Sequence, residues 1–156
     1  RVKRIDIESA EEMKEHVTAN LSDIDLFIST AAVADFKIKN SEPQKIKKDQ
    51  SKNMNLSLEK NEDILKHVSD NNPDLKIVGF AAETENMIDN ARKKLSSKNL
   101  NLIVANDVSD SSIGFDSNNN EVTLITEKEE LKILKTSKEK VARKIVQFIS
   151  KNILND

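Results

Sequence analysis

Lys76-Ile77-Val78-Gly79-Phe80 and Leu100-Asn101-Leu102-Ile103-Val104 frame the stretch whose reading decides the fold. Both are short, mainly apolar runs, and between them Met87, Ala91 and Leu95 recur every four residues. A short apolar run bounded by polar residues reads as a buried strand, and a four-residue recurrence as one face of a helix. The unit is strand, helix, strand, the building block of a parallel sheet.

The same alternation continues outward. Asp25 to Ser29 carries Leu26, Phe27 and Ile28, another short strand. Before it, Met13, Val17 and Leu21 stripe a helix that Ser9 caps, with Glu12 three residues on completing a capping box. Val2 to Ile7 predicts a further short strand. Leu56 and Leu58, with Met54, alternate with Asn55 and Ser57, predicting a half-exposed strand after a long polar segment at 37–52. Asn61 reads as the cap of a helix carrying Ile64, Leu65 and Val68, ending near Asn71, Asn72 and Pro73. Toward the C-terminus, Val122 and Leu124 with Leu131 and Ile133 predict an antiparallel hairpin. Thr136 with Glu139 predicts a second capping box, opening a helix striped by Ala142, Ile145, Ile149 and Ile153. The expected fold is α/β: a Rossmann-like doubly wound, mostly parallel sheet with a C-terminal antiparallel hairpin, forming one domain over residues 1–156.

Composition narrows the function. Charged residues at 33% against 37% hydrophobic ones describe a globular chain rather than a disordered one. A net charge of −2 lacks the basic excess of a general nucleic-acid binder. No apolar run approaches a membrane span, and no signal peptide opens the sequence. The absence of cysteine removes thiolate chemistry and accords with an expected cytoplasmic location. With only Gly79 and Gly114, neither a G-x-G-x-x-G nor a Walker A phosphate loop fits within these residues.

In doubly wound sheets ligands bind beyond the carboxyl ends of the strands. That rule selects residues 30–36, 80–84 and 105–108, which the fold would bring to one crevice. In the first, Ala31-Ala32-Val33-Ala34-Asp35-Phe36, small residues let a ligand approach backbone. Asp35 suits a sugar hydroxyl or a metal, or simply caps the next turn. In the second, Phe80 suits stacking on a base or plain core packing, and Thr84 stands where a helix cap is needed. Lys45-Ile46-Lys47-Lys48, within the long polar segment, suits a polyphosphate in a loop that closes on it, or a solvated basic run. Lys94 and Lys98 continue the line of the Met87 and Ala91 stripe, as phosphate ligands or as lysines at a helix C-terminus. His16 and His67 show no ligand or triad spacing and are read as incidental. Asn118 to Asn120 reads as a turn.

Together these segments resemble the ligase domain of the bacterial coenzyme A biosynthesis bifunctional protein. The resemblance rests on A-A-V-A-D-F (31–36), K-I-K-K (45–48), N-E-D-I-L (61–65), V-G-F-A-A-E-T (78–84), K-L-S-S-K-N-L (94–100) and V-A-N-D (104–107), in that order, and continues through Gly114-Phe115 and 120–124. It implies a phosphopantothenate–cysteine ligase. The carboxylate of 4'-phosphopantothenate attacks the α-phosphate of CTP, pyrophosphate leaves, and cysteine displaces CMP from the acyl cytidylate. Magnesium accompanies CTP, and FMN belongs only to a decarboxylase domain if one lies upstream. By matching motifs, Asp35, Asn61, Glu62, Asp63, Ile64, Phe80, Lys94 and Lys98 would contact CTP. Lys45 would neutralise phosphate and serve catalysis. The family usually has proline where this chain has Glu62. The resemblance also implies a homodimer, and a family leading segment with a Gly-rich loop and an asparagine that holds the acyl intermediate. These residues would then be the C-terminal part of the domain, with a sheet incomplete at its N-terminus and no turnover alone.

Two other classes remain beside this one. A nucleotide-binding or dimerisation module without catalysis would bind CTP yet form no acyl cytidylate. A Rossmann-type oxidoreductase piece would need affinity for NAD(P), and no dinucleotide fingerprint supports it. Two structural expectations follow: Asp35, Phe80 and the Ala105–Asn106 turn share one cleft, and residues 37–52 form a loop that is mobile without nucleotide.

Overall fold

A computed structural model describes residues 2–40, 44, 55–108 and 117–155. In chain order the elements are α1 (Ala10–Ala19), β1 (Leu26–Ser29), β2 (Phe36–Ile38), β3 (Leu58–Lys60), α2 (Ile64–Asn71), β4 (Lys76–Glu83), α3 (Met87–Ser97), β5 (Leu102–Asp107), β6 (Asn119–Ile125), β7 (Glu130–Ser137) and α4 (Lys138–Asn152). Five strands form one sheet in the order β1-β4-β5-β6-β7, and β2 with β3 form a separate two-stranded ribbon. β1, β4 and β5 run parallel, while β6 and β7 are antiparallel additions. This is the expected α/β arrangement, a parallel core ending in an antiparallel hairpin.

The apolar runs explain the layers. Alternate residues of β4 and β5 point to opposite faces, so Val78, Leu102 and Val104 pack with Val141, Ile145, Phe148 and Ile149 of α4. Ile77, Ala81, Ile103 and Ala105 pack on the other face with α2 and α3, where Met13, Val17 and Leu21 of α1 join them. Strands covered on both sides need no apolar–polar alternation. Gly79 is required by packing: a Cβ there would lie 2.8 Å from Leu100 Cδ1 and 3.1 Å from Leu65 Cδ2. Its neighbours are therefore Leu65 of α2 and Leu100 of the turn after α3.

Several boundaries differ from the sequence reading. Val2 to Ile7 forms no strand; Ile5 and Ile7 lie beside Met13, Val17 and Phe27 along a groove. The strand expected over 54–58 is β3, at Leu58–Lys60, and Met54 is outside the described residues. Asp63, not Asn61, caps α2, its carboxylate accepting the Lys66 N–H at 3.0 Å. Asn86, not Thr84, precedes α3, in the left-handed conformation that asparagine tolerates. β7 runs through Thr136, so Ser137 takes over as cap of α4. The buried face of α4 then follows Val141, Ile145, Phe148 and Ile149, and Ala142 turns outward. Ser9 caps α1 as expected, but Glu12 reaches back to the N–H of Glu8, one residue before the capping box predicts.

The end of α3 matters for the site. Asn99 is left-handed, the Leu100 N–H donates to Leu95 O at 2.9 Å, and the Asn99 N–H donates to Ser96 O at 3.3 Å. This is a Schellman closure, with Leu100 and Leu95 both in the core. It fixes Lys98, the last residue before the turn, against the start of α2.

Candidate functional site

The carboxyl ends of β1 and β4 meet two adjoining cavities. One, of about 210 Å³, is lined by Ser29, Ala31, Val33, Ala34 and Asp35 after β1. Lys60 to Leu65 complete it from the β3–α2 connection, with Phe80 of β4 and Lys98 of α3. The other, of about 250 Å³, is lined by Thr30, Ala31, Ala32, Phe80, Ala82, Asn106, Asn120 and Lys138. Ala31 and Phe80 belong to both walls. A larger cavity of about 670 Å³ lies at the amino ends of the strands, around Asp25, Asn72 and Lys76. It holds none of the candidate site residues, and it is at the wrong end of a parallel sheet for a ligand.

Backbone stitching builds the first cavity. Asn61 donates its N–H to Asp35 O and its side-chain amide to Ala34 O, both at 2.8 Å. The 31–35 and 61–64 segments are thereby locked side by side, although they lie far apart in sequence. Ile64 is buried and anchors the first turn of α2 in the core. Asp63 serves two partners, capping α2 and accepting the Lys98 ammonium at 2.7 Å. Desolvation alone would raise its pKa. The hydrogen bond from Lys98 and those from the backbone of Lys66 and Leu65 outweigh it and hold the carboxyl below the ordinary range. Glu62 bridges Lys14 of α1 at 2.5 Å and His67 Nδ1 at 2.9 Å. The Lys14 hydrogen bond holds Glu62 below the usual carboxylate range against desolvation, with His67 adding in the same direction.

Seven of the nine residues singled out in the sequence therefore line one cavity: Asp35, Asn61, Glu62, Asp63, Ile64, Phe80 and Lys98. Lys94 lines neither cavity. Its ammonium sits 2.5 Å from Glu83 Oε1, and Asn90 also donates to that carboxylate. Lys45 and its companions Lys47 and Lys48 lie outside the described residues, as does most of the 37–52 segment expected to move. The expected cleft around Asp35, Phe80 and 105–106 divides in two. Asp35 and Phe80 share the first cavity, Phe80 and Asn106 the second, and Ala105 is fully buried core. The reason is that β5 runs on to Asp107, so 105–106 is strand rather than turn.

Sequence reasoning missed Lys14, Glu83 and the Lys138–Asn120 side of the second cavity. Lys14 carries no local signal, being 48 positions from the carboxylate that it meets. His67, read as incidental, proves to be paired with Glu62. Glu83 stood inside the V-G-F-A-A-E-T motif, and its position one residue beyond two alanines at a strand's carboxyl end was the available sign.

Residues 1–153 match the family described as DNA/pantothenate metabolism flavoprotein C-terminal domain. The chain is 43% identical over 152 residues to the coenzyme A biosynthesis bifunctional protein CoaBC of Vibrio vulnificus (strain YJ016), covering 95% of this chain and 37% of that protein. It is 43% identical over 149 residues to the protein of the same name in Bacillus subtilis (strain 168), covering 94% and 36%. The crystal structure of the C-terminal domain of CoaBC superposes with a TM-score of 0.78 at 33% identity, over 97% of this chain and 66% of that one. The DNA/pantothenate metabolism flavoprotein from Streptococcus pneumoniae shares the fold, with a TM-score of 0.75 at 20% identity. The chain thus spans well under half the length of the curated relatives it matches.

Proposed function

Since the chain belongs to the DNA/pantothenate metabolism flavoprotein C-terminal domain family, we propose that it works in coenzyme A biosynthesis as the nucleotide-binding part of a phosphopantothenate–cysteine ligase. The observation that carries this reading is the first cavity, where seven residues chosen from sequence motifs line one wall-to-wall space. In this reading CTP occupies that cavity. Asp35 meets the ribose, Phe80 offers a face to the base, and Lys98 meets phosphate oxygens. Lys94 joins them on exchanging Glu83 for phosphate, and Lys45 neutralises the charge that develops as pyrophosphate leaves.

The chemistry runs in two steps. A carboxylate oxygen of 4'-phosphopantothenate bonds to the α-phosphorus of CTP, and the bond to pyrophosphate breaks. The cysteine amine then bonds to the acyl carbon, CMP departs, and the amine loses a proton. Among the described residues no three His, Asp or Glu side chains gather to hold a metal. Magnesium would arrive with the triphosphate as its own ion and would supply charge neutralisation at the phosphates. No helix among the described residues is long and apolar enough to cross a membrane.

A homodimer is part of the same proposal. Phe36, Ile38 and Leu58 leave one face of the β2–β3 ribbon exposed, while Lys37 on the other face is paired with Glu11 of α1. A second copy would cover that apolar face.

The test is pyrophosphate release by the protein that carries this chain, given CTP, magnesium, 4'-phosphopantothenate and cysteine. Release should require the acid, and product formation should require cysteine. Lys45→Gln should lower kcat more than it raises the KM for CTP. CTP binding without pyrophosphate release would instead favour a non-catalytic binding module.

A further inference from the structure

We propose that Lys14 of α1 is a positioning residue for the first cavity: it acts through Glu62 and sets the 61–63 backbone that walls the nucleotide. The inference rests on the ligase reading above and adds a residue outside the cavity that governs how tightly CTP is held. Its basis is that three consecutive residues tie this wall to three different parts of the fold. Asn61 bonds twice to the 34–35 backbone. Asp63 accepts the Lys66 N–H of α2 and the Lys98 ammonium at the end of α3. Glu62, between them, gives Oε2 to Lys14 and Oε1 to His67. Both of its oxygens thus have protein partners, and Glu62 serves the cavity as a strut rather than as a ligand.

The two partners of Glu62 do different things. His67 belongs to the helix that follows at once, so its contact is local. Lys14 is 48 positions away on another helix, and its contact fixes the segment against the rest of the molecule. Lys14 does not line the first cavity. It lines a neighbouring one of about 350 Å³ between α1 and the ribbon, whose wall Glu62 shares. α1 is a firm anchor, because Met13 and Val17 pack against the core. Glu11 lies three residues before Lys14, on the same side of the helix, and pairs with Lys37 of β2 at 3.4 Å. One face of α1 therefore grips the chain just after Asp35 and again just after Asn61. An exposed ion pair adds little to global stability, yet a short connection beside a ligand needs only a small bias to hold its place.

The experiment uses the full-length protein with Lys14→Met, Lys14→Arg, Glu62→Gln and the Lys14→Met, Glu62→Gln pair. Lys14→Met should raise the KM for CTP about threefold with kcat within about twofold, and Lys14→Arg should restore the wild-type KM. Glu62→Gln should raise the KM at least as much, and adding Lys14→Met to it should change nothing further, since both break one contact. A further rise in the double variant would mean that Lys14 meets CTP directly, and an unchanged KM in Lys14→Met would mean that it does not act at all; either overturns the proposal. Amide hydrogen exchange without CTP separates it from the underlying reading. The Asn61 N–H, bonded to Asp35 O, should exchange about threefold faster in Lys14→Met, with the amides of β4 at the wild-type rate. If the wild type releases no pyrophosphate, the ligase reading fails and exchange alone decides. Faster exchange confined to the 61–63 wall would still uphold the positioning role. Equal Asn61 exchange in wild type and Lys14→Met, or β4 accelerated as much, would sink it.

Discussion

Leu102, Val104 and Leu124 in the five-stranded sheet are fully buried, whereas Phe36, Ile38 and Leu58 in the two-stranded ribbon are about half exposed, at 58%, 49% and 56%. The residue types are alike; the coverage is not. Helices close both faces of the sheet. The ribbon has α1 on one side, reached through the Lys37–Glu11 ion pair. The sheet therefore holds the stability. The ribbon, whose strands begin just after Asp35 and end just before Asn61, bears on the rim of the first cavity instead. A substitution in one region should be read by a thermometer, and in the other by an assay.

Leu102→Ala attacks the sheet where both neighbouring strands and α4 depend on it. The expected loss is about 3 kcal/mol of folding stability, measured by denaturant titration. A loss below about 1 kcal/mol would mean that the core rearranges freely and that the contrast is overdrawn.

An intermediate effect should come from acid. Glu62 and Asp63 both titrate below the ordinary carboxylate range when folded. A folded pKa below the unfolded one adds stability that is complete above the unfolded value and is lost as pH falls through the folded value. The wild type should thus exceed a Glu62→Gln, Asp63→Asn variant in Tm at neutral pH, and the gap should close under acid. Asparagine still caps α2, so the comparison isolates the ties to Lys14, His67 and Lys98. A gap that widens in acid would contradict the assignment.

The smallest change is expected in the ribbon. Ile38→Ser should move folding stability by no more than about 0.5 kcal/mol, while shifting a dimer toward monomer in sedimentation. A large loss of stability would show that the ribbon is part of the core after all.

Much of the fold was legible because it rests on apolar runs and on a four-residue stripe, which local sequence carries. The strand–helix–strand unit at 76–104 and the C-terminal hairpin appear where the pattern predicts them. Caps were less legible. Asn61 and Asp63, Thr84 and Asn86, and Thr136 and Ser137 are near-equivalent side chains a residue or two apart, and tertiary packing decides among them. Much of the first cavity was reached through motifs whose order matched a family, since nothing local says that Asn61 will bond to Ala34. The partner of Lys94 was not legible, because a helical stripe gives direction but not partner, and Glu83 takes its ammonium. The second cavity touches several of the same motifs, yet none of its polar groups was singled out, because Thr30, Asn106, Asn120 and Lys138 come from four separate parts of the fold.

The two margins of the sheet carry a further consequence. β7 bears Lys132 and Lys135, and its register slips opposite Asn120 and Val122, devices that discourage strand addition. β1 is Leu26-Phe27-Ile28-Ser29, uncharged and in unbroken register with β4, and among the described residues it pairs on one side only. Within the described residues the two margins thus differ in kind: the charges and slipped register of β7 oppose a further strand, whereas the plain, regular backbone of β1 would accept one.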